Sequence, residues 1–270
     1  MFECVINISE GRNLELLNSL RASAGPSLRD LHADEFHNRS VLTLINDPEP
    51  LSRDVHSLIT ASFGATDLRF HEGVHPRFGV VDVVPFVSLE PAERARAVEL
   101  RDRTAQWISE TFAVPAFLYG PVDGGTRTLP EVRRRAFDGL SPDFGPSSPS
   151  PKLGAVAVGA RPILVAWNIW LSGVSRDDTR ALAKAVRRGE VRSLAFRAGE
   201  FTQVSCNLID PLVVVPSLVY DEVASLLPEG GEIVRAELVG LVPRAVLDAE
   251  EPSRWVQLGL GENQTIESRL

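Results

Sequence analysis

The chain has 270 residues, 44% of them hydrophobic and 24% charged, a composition typical of a soluble globular protein with one large domain or two small ones. Its formal net charge of −8 argues against nucleic acid as the main partner, because nucleic-acid-binding proteins usually present a basic patch. No stretch is apolar enough to predict a membrane span, and no secretory signal follows Met1, so we expect a cytoplasmic protein.

The first third of the chain alternates between strand and helix patterns. Residues 3–8 predict a strand, and residues 13–24 predict an amphipathic helix that ends at a Gly-Pro pair. Two strands, a helix and a buried strand are then predicted at residues 28–32, 40–45, 50–63 and 80–87. The polar residues 34–39 connect the middle strands as a hairpin would.

Residues 71–79 read His-Glu-Gly-Val-His-Pro-Arg-Phe-Gly and precede the buried strand. Gly73 and Pro76 oppose a helix there, so we predict a shaped loop. Imidazole titrates near neutral pH, and a positioned histidine could therefore transfer protons. His71 and His75 also have the spacing of a metal-binding pair, but no recognised motif supplies a third ligand, so no metal site is predicted.

The middle of the chain combines regular and irregular patterns. A long helix, a short strand and a glycine-rich loop are predicted at residues 91–112, 116–119 and 120–127. Thr128 and Glu131 form a capping box, which opens a helix expected to end near residue 140. Residues 141–154 are rich in serine and proline, and their composition alone predicts a flexible linker.

The second half of the chain repeats the order of the first. Its strands and helices are predicted at residues 163–170, 175–189, 191–197, 201–209, 216–227 and 233–242. The opening strands share a pattern, since residues 5–8 read Val-Ile-Asn-Ile and residues 166–169 read Ala-Trp-Asn-Ile. We therefore predict an α+β protein of two ferredoxin-like (βαββαβ) subdomains related by internal duplication.

Cys4 and Cys206 lie in apolar runs and are expected to be buried free thiols.

The residues alone leave more than one function open. No nucleophile elbow, phosphate loop or dinucleotide fingerprint is present. Arg39 and Arg77 are candidates for carboxylate binding. An acid/base enzyme, a small-molecule binder and a metal-dependent hydrolase remain possible, the last of which would use His32, His37, His71 and His75.

Short motifs spread over nearly the whole chain carry a family resemblance. They lie at residues 3–5, 7–13, 37–41, 75–79, 118–120, 142–148, 203–207 and 238–243. Through them the chain resembles the glutamate formimidoyltransferase (formiminotransferase) family, including the transferase part of formimidoyltransferase-cyclodeaminase. The resemblance implies two formiminotransferase subdomains at residues 1–160 and 161–270.

The resemblance also implies an activity, which is transfer of the formimino group from N-formimino-L-glutamate to N5 of tetrahydrofolate in histidine degradation. Tetrahydrofolate would be a co-substrate, no metal would be needed, and the protein would be a homodimer. His75 would be the catalytic acid/base, and a pKa near neutrality would suit both proton transfers. The implied folate-binding segment comprises Gly145, Pro146, Ser147, Ser148, Pro149, Ser150, Pro151, Lys152, Leu153 and Gly154.

Further substrate-binding candidates come from the matched motifs and the residues near them. They are Asn7, Glu10, His32, Asp34, His37, Asn38, Arg39 and Arg77. Two departures from the family pattern bear on the donor. Val74 stands where the family usually has a glutamate, so that Glu72 is the nearest acid in sequence, and residues 135–139 replace the usual Gly-Glu-aromatic ending. A folate-dependent formyltransferase with another donor and a non-catalytic folate-binding paralogue therefore remain alternatives.

Overall fold

The computed structural model describes residues Met1–Leu270, and the chain separates into two compact units, Met1–Pro162 and Ile163–Leu270. Each unit has its own sheet and its own hydrophobic core. No helix in either unit is long and apolar enough to cross a lipid bilayer. Cys4 and Cys206 are buried free thiols, which confirms the prediction from the apolar runs around them.

The first unit is built on a mixed, seven-stranded sheet. Its elements in chain order are β1 (Phe2–Ile8), α1 (Leu14–Ser23), β2 (Leu28–Asp34), β3 (Arg39–Asn46), α2 (Pro48–Ala65), β4 (Val81–Ser88), α3 (Arg94–Phe112), β5 (Ala116–Val122), β6 (Gly125–Arg127), α4 (Leu129–Arg135) and β7 (Val156–Ala160). The strand order is β2-β3-β1-β4-β7-β5-β6, in which β7 runs parallel to both of its neighbours.

The two faces of this sheet carry different side chains, because successive residues of a strand point to opposite faces. One face contributes residues such as Ile6 to the main core, which also includes side chains of α1, α2 and α3. The opposite face carries a smaller cluster, in which the rings of Phe78, Phe117 and Phe137 lie within 6.4 Å of one another. Asn7, between the core residues of β1, also points to this opposite face and contributes to the candidate site.

The second unit is built on a four-stranded antiparallel sheet. Its elements are β8 (Val165–Ser172), α5 (Arg176–Ala185), β9 (Val191–Ala198), β10 (Phe201–Leu208), α6 (Pro216–Ser225), β11 (Glu232–Val239) and α7 (Arg244–Asp248). The strand order is β11-β8-β10-β9, while the corresponding strands of the first sheet are ordered β4-β1-β3-β2. The ferredoxin-like class and the origin of the two units by internal duplication stay predictions.

Two strand assignments differ from the sequence predictions. Residues 120–127, predicted as a loop, extend β5 and form β6 in a hairpin that turns at Asp123 and Gly124, both with positive φ. Strand β7 was not predicted at all. Its residues are part of a longer apolar region that continues to β8, and a short apolar run has no boundary that periodicity can detect.

Helix α4 is shorter than predicted. The capping box at Thr128 and Glu131 is present as expected, but the helix ends at Arg135 instead of continuing to residue 140. Phe137 has a φ of 63°, an uncommon conformation for a bulky residue, and its ring packs 5.0 Å from that of Phe117. Packing of this partly buried ring against Phe117 therefore accompanies the end of the helix.

Candidate active site

The loop of residues 71–79 is held against the hairpin between β2 and β3. The backbone N–H of Val74 donates to the carbonyl of Phe36 at 3.2 Å, and the Asn38 amide donates to the carbonyl of Glu72 at 2.8 Å. At Gly73 a Cβ would lie 2.3 Å from the His37 carbonyl oxygen, so only glycine allows this approach. The loop is therefore shaped by contacts with a neighbouring hairpin, as a site on a supported loop requires.

The half-buried imidazole of His75 is oriented by its own loop. Its Nδ1 lies 2.6 Å from the carbonyl oxygen of Pro76. Because a carbonyl can only accept, Nδ1 carries the proton of the neutral ring, and Nε2 presents the lone pair. The ring of His37 packs edge-on against His75 with the centroids 5.7 Å apart. Nε2 of His75 is therefore the atom that could accept a proton from a substrate.

Asp82 forms the charged centre behind this loop and is fully buried on β4. Its Oδ1 accepts from the backbone N–H of Phe78 at 2.5 Å, while its Oδ2 accepts from Arg39 and Arg133, each at 2.5 Å. Burial alone would raise the pKa of this carboxyl, but Arg39, Arg133 and the Phe78 N–H hold it well below its ordinary value. Asp82 is therefore ionised and connects the loop to β3 and α4.

The environment of His75 favours the neutral ring. Burial, the nearby charge of Arg39 and, more weakly, that of Arg133 lower the pKa of His75 to about 3, although Asp82 and the Pro76 carbonyl act in the opposite direction. The expectation of a pKa near neutrality is therefore wrong for the protein without ligands. The sequence could not predict this shift, because Arg39 and Arg133 approach His75 only through the fold.

Arg77 closes the loop from within. Its Nη1 donates to the Nδ1 and the carbonyl oxygen of His71 at 2.6 and 2.7 Å, and its Nη2 donates to the Gly73 carbonyl at 2.5 Å. Arg39 is also engaged within the protein, because its guanidinium donates to Asn7 Oδ1 as well as to Asp82. The two arginines predicted to bind carboxylates thus make extensive internal hydrogen bonds.

The other predicted substrate-binding residues surround the same loop but have distinct local partners. Asn38 Oδ1 accepts from Gly11 N–H at 2.9 Å, and Glu10 accepts from two backbone N–H groups before α1. Asp34 accepts from the His37 backbone N–H at 2.8 Å. His32 lies on β2 opposite Val41. The fold therefore gathers Asn7, Glu10, Asp34, His37, Asn38 and Arg39 into the strand ends and turns next to the loop.

The sequence does not single out two residues of this network. Asp82 was included in a buried strand, and Arg133 was one of three consecutive arginines on a predicted helix. The available signal for Asp82 was a carboxylate in the middle of an apolar run, since a buried charge needs partners. No local signal distinguishes Arg133 from Arg134, and only the structure selects it.

The remaining histidine, His56, lies in α2 and stacks on Trp107 with centroids 3.7 Å apart. Burial is the main cause that lowers its pKa to about 4, and the charge of Arg103 adds to this effect. Its structural role agrees with its place on the helix. The His, Cys, Asp and Glu side chains of the chain form no group of three or more that could hold a metal ion.

The segment 145–154 is fixed at its ends and exposed in its middle. Before it, Phe144 pairs with Ala116, and at its end Ser150 and Gly154 exchange backbone hydrogen bonds of 2.9 and 2.7 Å. The carbonyls of Lys152 and Leu153 accept from backbone N–H groups of residues 68 and 80, on either side of the His75 loop. The segment is therefore tied to this loop, unlike a free linker.

The exposed part of this segment has the chemistry to bind a flat, polar ligand such as folate. Ser147 and Ser148 are exposed, and their hydroxyl groups make no hydrogen bond within the chain. Hydroxyl groups can donate and accept, which suits the edges of a pterin ring and the amide groups of folate. Pro146, Pro149 and Pro151 restrict the backbone and reduce the entropy lost on binding. The assignment of this segment to folate stays a prediction.

Comparison with known proteins agrees with the motifs described above. A sequence profile of the formiminotransferase domain, N-terminal subdomain, matches residues 1–161. Glutamate formimidoyltransferase from Streptococcus pyogenes serotype M1 is 30% identical over 278 residues, which cover 92% of this chain and 91% of that protein. The protein of the same name from Thermoplasma acidophilum is 31% identical over 302 residues, covering 100% of this chain and 97% of the relative.

Longer relatives match over part of their length. Formimidoyltransferase-cyclodeaminase from Gallus gallus is 34% identical over 285 residues, covering 93% of this chain but only 52% of that protein. The chain thus spans about half the length of this relative. The similarity to the shorter relatives extends over nearly their whole length and includes both units described above.

Proposed function

The chain belongs to the formiminotransferase family of transferases, and from this premise we propose that it transfers the formimino group of N-formimino-L-glutamate to N5 of tetrahydrofolate. The observation that carries the proposal is the hydrogen-bonded connection between the His75 loop and the segment 145–154. Val80 N–H donates to the Leu153 carbonyl at 3.0 Å, directly after that loop. A proton acceptor and a candidate folate-binding segment are therefore parts of one local structure.

The reaction requires one bond to form, one to break and one proton to move. The bond between N5 and the formimino carbon forms, and the bond between that carbon and the glutamate nitrogen breaks. N5 loses a proton, and the departing nitrogen gains one. His75 is the residue proposed to transfer it, since Nε2 can accept the proton from N5 and return it to the leaving amine.

The lowered pKa of His75 has opposite effects on the two halves of this transfer. The neutral base is present in full at neutral pH, but it is a weak base. Once protonated it is a strong acid, so it releases the proton readily to the leaving nitrogen. A carboxylate bound close to Arg39 and Arg133 would reduce the positive potential at His75 and raise its basicity in the complex.

The folate co-substrate is assigned to the segment 145–154. Its serine hydroxyl groups and backbone groups would bind the polar edges of the ligand, while the Lys152 ammonium could contact a folate carboxylate. Because the ends of the segment are fixed, the bound ligand would be held at a constant position relative to His75. Participation in histidine degradation and a homodimeric state belong to the same proposal, and the family resemblance supports both.

The loop before His75 differs from the family pattern at Val74, which replaces a glutamate that the family usually carries. The acidic group that acts on His75 in this chain is Asp82. Glu72, the nearest acid in sequence, is exposed and offers its backbone carbonyl to Asn38. Asp82 could therefore act on the His75 imidazole in place of the glutamate that the family usually has immediately before this histidine.

A transfer assay with a panel of donors tests the proposed function. Purified protein is incubated with tetrahydrofolate and, separately, N-formimino-L-glutamate, N-formimino-L-aspartate, N-formiminoglycine and N-formyl-L-glutamate, and the folate products are separated by chromatography. We expect 5-formiminotetrahydrofolate with N-formimino-L-glutamate as the best donor. Faster transfer from the formyl donor would favour a formyltransferase, and binding of folate without transfer from any donor would favour a non-catalytic paralogue.

A further inference from the structure

Arg133 differs from Arg39 in the number of guanidinium nitrogens that donate hydrogen bonds within the protein. Its Nη2 donates to Asp82, but Nε and Nη1 have no hydrogen-bond partner. Arg39, by contrast, uses all three nitrogens on Asn7 and Asp82. The side chain of Arg133 is 25% exposed, so its remaining donors can be reached from solvent.

The charges around Asp82 do not cancel. Arg39 and Arg133 share a single carboxylate, and both guanidinium groups are bound to the same oxygen, Oδ2. The three groups together therefore carry one excess positive charge. Arg77, in the same loop as His75, donates its hydrogen bonds to neutral acceptors, and the carboxylates that act on its charge are Asp82 and Glu72. A partly exposed guanidinium within a cluster of net positive charge is suited to bind an anion.

The position of Arg133 relative to His75 indicates which anion this is. Asp82 binds Arg133 through Oδ2 and the backbone of the His75 loop, at Phe78, through Oδ1. In an N-formimino amino acid, only the nitrogen and the α-carbon separate the transferred carbon from the α-carboxylate. In tetrahydrofolate, the whole aminobenzoyl group separates N5 from the glutamyl carboxylates. An anion-binding group next to the proton-transferring histidine therefore matches the donor better than the folate tail.

We propose that Arg133 binds the α-carboxylate of the N-formimino amino acid through the guanidinium donors that Asp82 leaves open, and that Asp82 positions it. This inference rests on the proposed function and adds a substrate-binding residue to it. Asp82 holds one side of the guanidinium, so the side chain is ordered before the substrate arrives, which lowers the entropic cost of binding.

Steady-state kinetics of Arg133→Gln, Arg133→Lys and Arg134→Gln test this role. Arg134 follows Arg133 on α4 and is exposed, so its substitution is the matched control. We expect Arg133→Gln to raise the KM for N-formimino-L-glutamate by about tenfold or more, the usual effect of losing a hydrogen bond between charged groups, and to change the KM for tetrahydrofolate less than about twofold. Arg134→Gln should leave both values unchanged.

A substrate analogue separates the α-carboxylate from the other groups of the donor. The wild type should strongly prefer N-formimino-L-glutamate over the analogue with an α-carboxamide, and Arg133→Gln should lose most of this preference. Arg133→Lys keeps a positive charge next to Asp82, so it should fold and recover part of the donor affinity without the planar fork. An unchanged donor KM in folded Arg133→Gln, or a rise confined to the KM for tetrahydrofolate, would overturn the proposal.

Calorimetric titration of the donor in the absence of folate tests the role of Arg133 in donor binding independently of the proposed transfer activity. Absence of formimino transfer by the wild type would contradict the proposed function. Donor binding that weakens in Arg133→Gln and not in Arg134→Gln would still support the role of Arg133. Equal donor affinity in the wild type and Arg133→Gln would contradict that role even if the wild type were active.

Discussion

At the scale of single residues, His75 is defined by the groups around its ring. Burial and the positive charges of Arg39 and Arg133 disfavour the imidazolium, while Asp82 and the Pro76 carbonyl favour it. The first effects dominate, so the pKa falls from 6.5 to about 3. The stability that this shift contributes is present above pH 6.5 and is lost as the pH falls towards 3.

The titration of His75 can be followed directly by NMR. We predict that its Cε1–H resonance keeps the position of a neutral ring from about pH 8 to about pH 5, because the lowered pKa lies below this range. Comparison with the spectrum of His75→Gln assigns the resonance. Addition of N-formimino-L-glutamate should move the titration upwards, since a bound carboxylate offsets the arginine charges. A midpoint between about pH 6 and 7 in the free protein would contradict this account of the ring's environment.

Glu3 shows the opposite linkage. Burial on β1 raises the pKa of its carboxyl from 4.5 to about 7, although the charge of Arg161 partly opposes the shift. Its contribution to stability is therefore present below pH 4.5 and is lost as the pH rises to about 7. We predict that Glu3→Gln raises the free energy of unfolding above that of the wild type, and that this increase is about 3 kcal/mol larger at pH 8 than at pH 4.5. The reason is that one pKa unit corresponds to about 1.4 kcal/mol.

Urea unfolding at the two pH values measures this effect. Glu15→Gln, on the exposed surface of α1, is the matched control substitution. If Glu3→Gln changed the free energy of unfolding by the same amount at pH 4.5 and pH 8, the buried carboxyl would not titrate as described.

The sequence singles out His75 as the proposed acid/base, but it does not show which residues act on the ring. His75 is part of a motif, whereas Asp82 and Arg133 are 51 positions apart in sequence and meet only when α4 packs against β5 and β7. Which of Arg133, Arg134 and Arg135 turns towards Asp82 depends on where α4 begins and how it packs. Local spacing contains neither fact.

At the scale of elements, the central feature is the contact between the His75 loop and the segment 145–154. Gly79 and Gly154 pair across this contact. Gly154 has a φ of +74°, and a Cβ there would lie 2.5 Å from the Phe78 carbonyl oxygen and 2.8 Å from the Gly79 Cα. The close approach of two backbones, as well as the backbone conformation, requires glycine at this position.

Alanine substitutions at Gly124 and Gly154 distinguish the cost of the backbone conformation from the cost of separating the two loops. Gly124, in the β5–β6 hairpin, has a similar φ of +75° but open space around its Cα. We predict that Gly124→Ala costs about 1 kcal/mol from backbone strain alone and leaves transfer activity unchanged. Gly154→Ala should cost about 3 kcal/mol and lower turnover more than tenfold, because the two loops must separate. Thermal unfolding and steady-state rates give both quantities, and equal effects of the two substitutions would argue against a functional contact.

The exposed serines of the same segment test its assignment to folate. We predict that the double substitution Ser147→Ala and Ser148→Ala weakens tetrahydrofolate binding about tenfold, which corresponds to the loss of one or two hydrogen bonds. The melting temperature should not change, because neither hydroxyl group has a partner in the chain. Ser141→Ala, just before the segment, is the control. Unchanged folate affinity in the folded double variant would leave the folate site elsewhere.

Most elements could be predicted from sequence, and two of the exceptions share a cause. The strands and helices up to α3 follow clear periodic patterns with recognisable ends. Strand β7 and the end of α4 do not, because both depend on contacts with distant residues. β7 fills a gap between β4 and β5, and α4 ends where Phe137 packs against Phe117. Tertiary packing decides in both cases.

At the scale of the whole molecule, the two units have corresponding strand orders but different chemistry. All five histidines lie in the first unit. Asn7 on β1 and Asn168 on β8 occupy corresponding positions in the shared strand pattern. The Asn7 side chain accepts hydrogen bonds from Arg39, whereas the Asn168 side chain donates to Glu237 at 3.5 Å. The proposed duplication would therefore have been followed by specialisation, in which the first unit retained or acquired the proton-transferring group.

The most direct test of the central claim is the rate of formimino transfer from N-formimino-L-glutamate to tetrahydrofolate by the wild type and by His75→Ala. Folate affinity and thermal unfolding of both proteins are measured in parallel. We predict that the wild type forms 5-formiminotetrahydrofolate and that His75→Ala lowers the rate at least about a hundredfold, while it folds and binds folate like the wild type. Turnover near the wild-type rate in His75→Ala would contradict the assignment of His75 as the proton-transferring group.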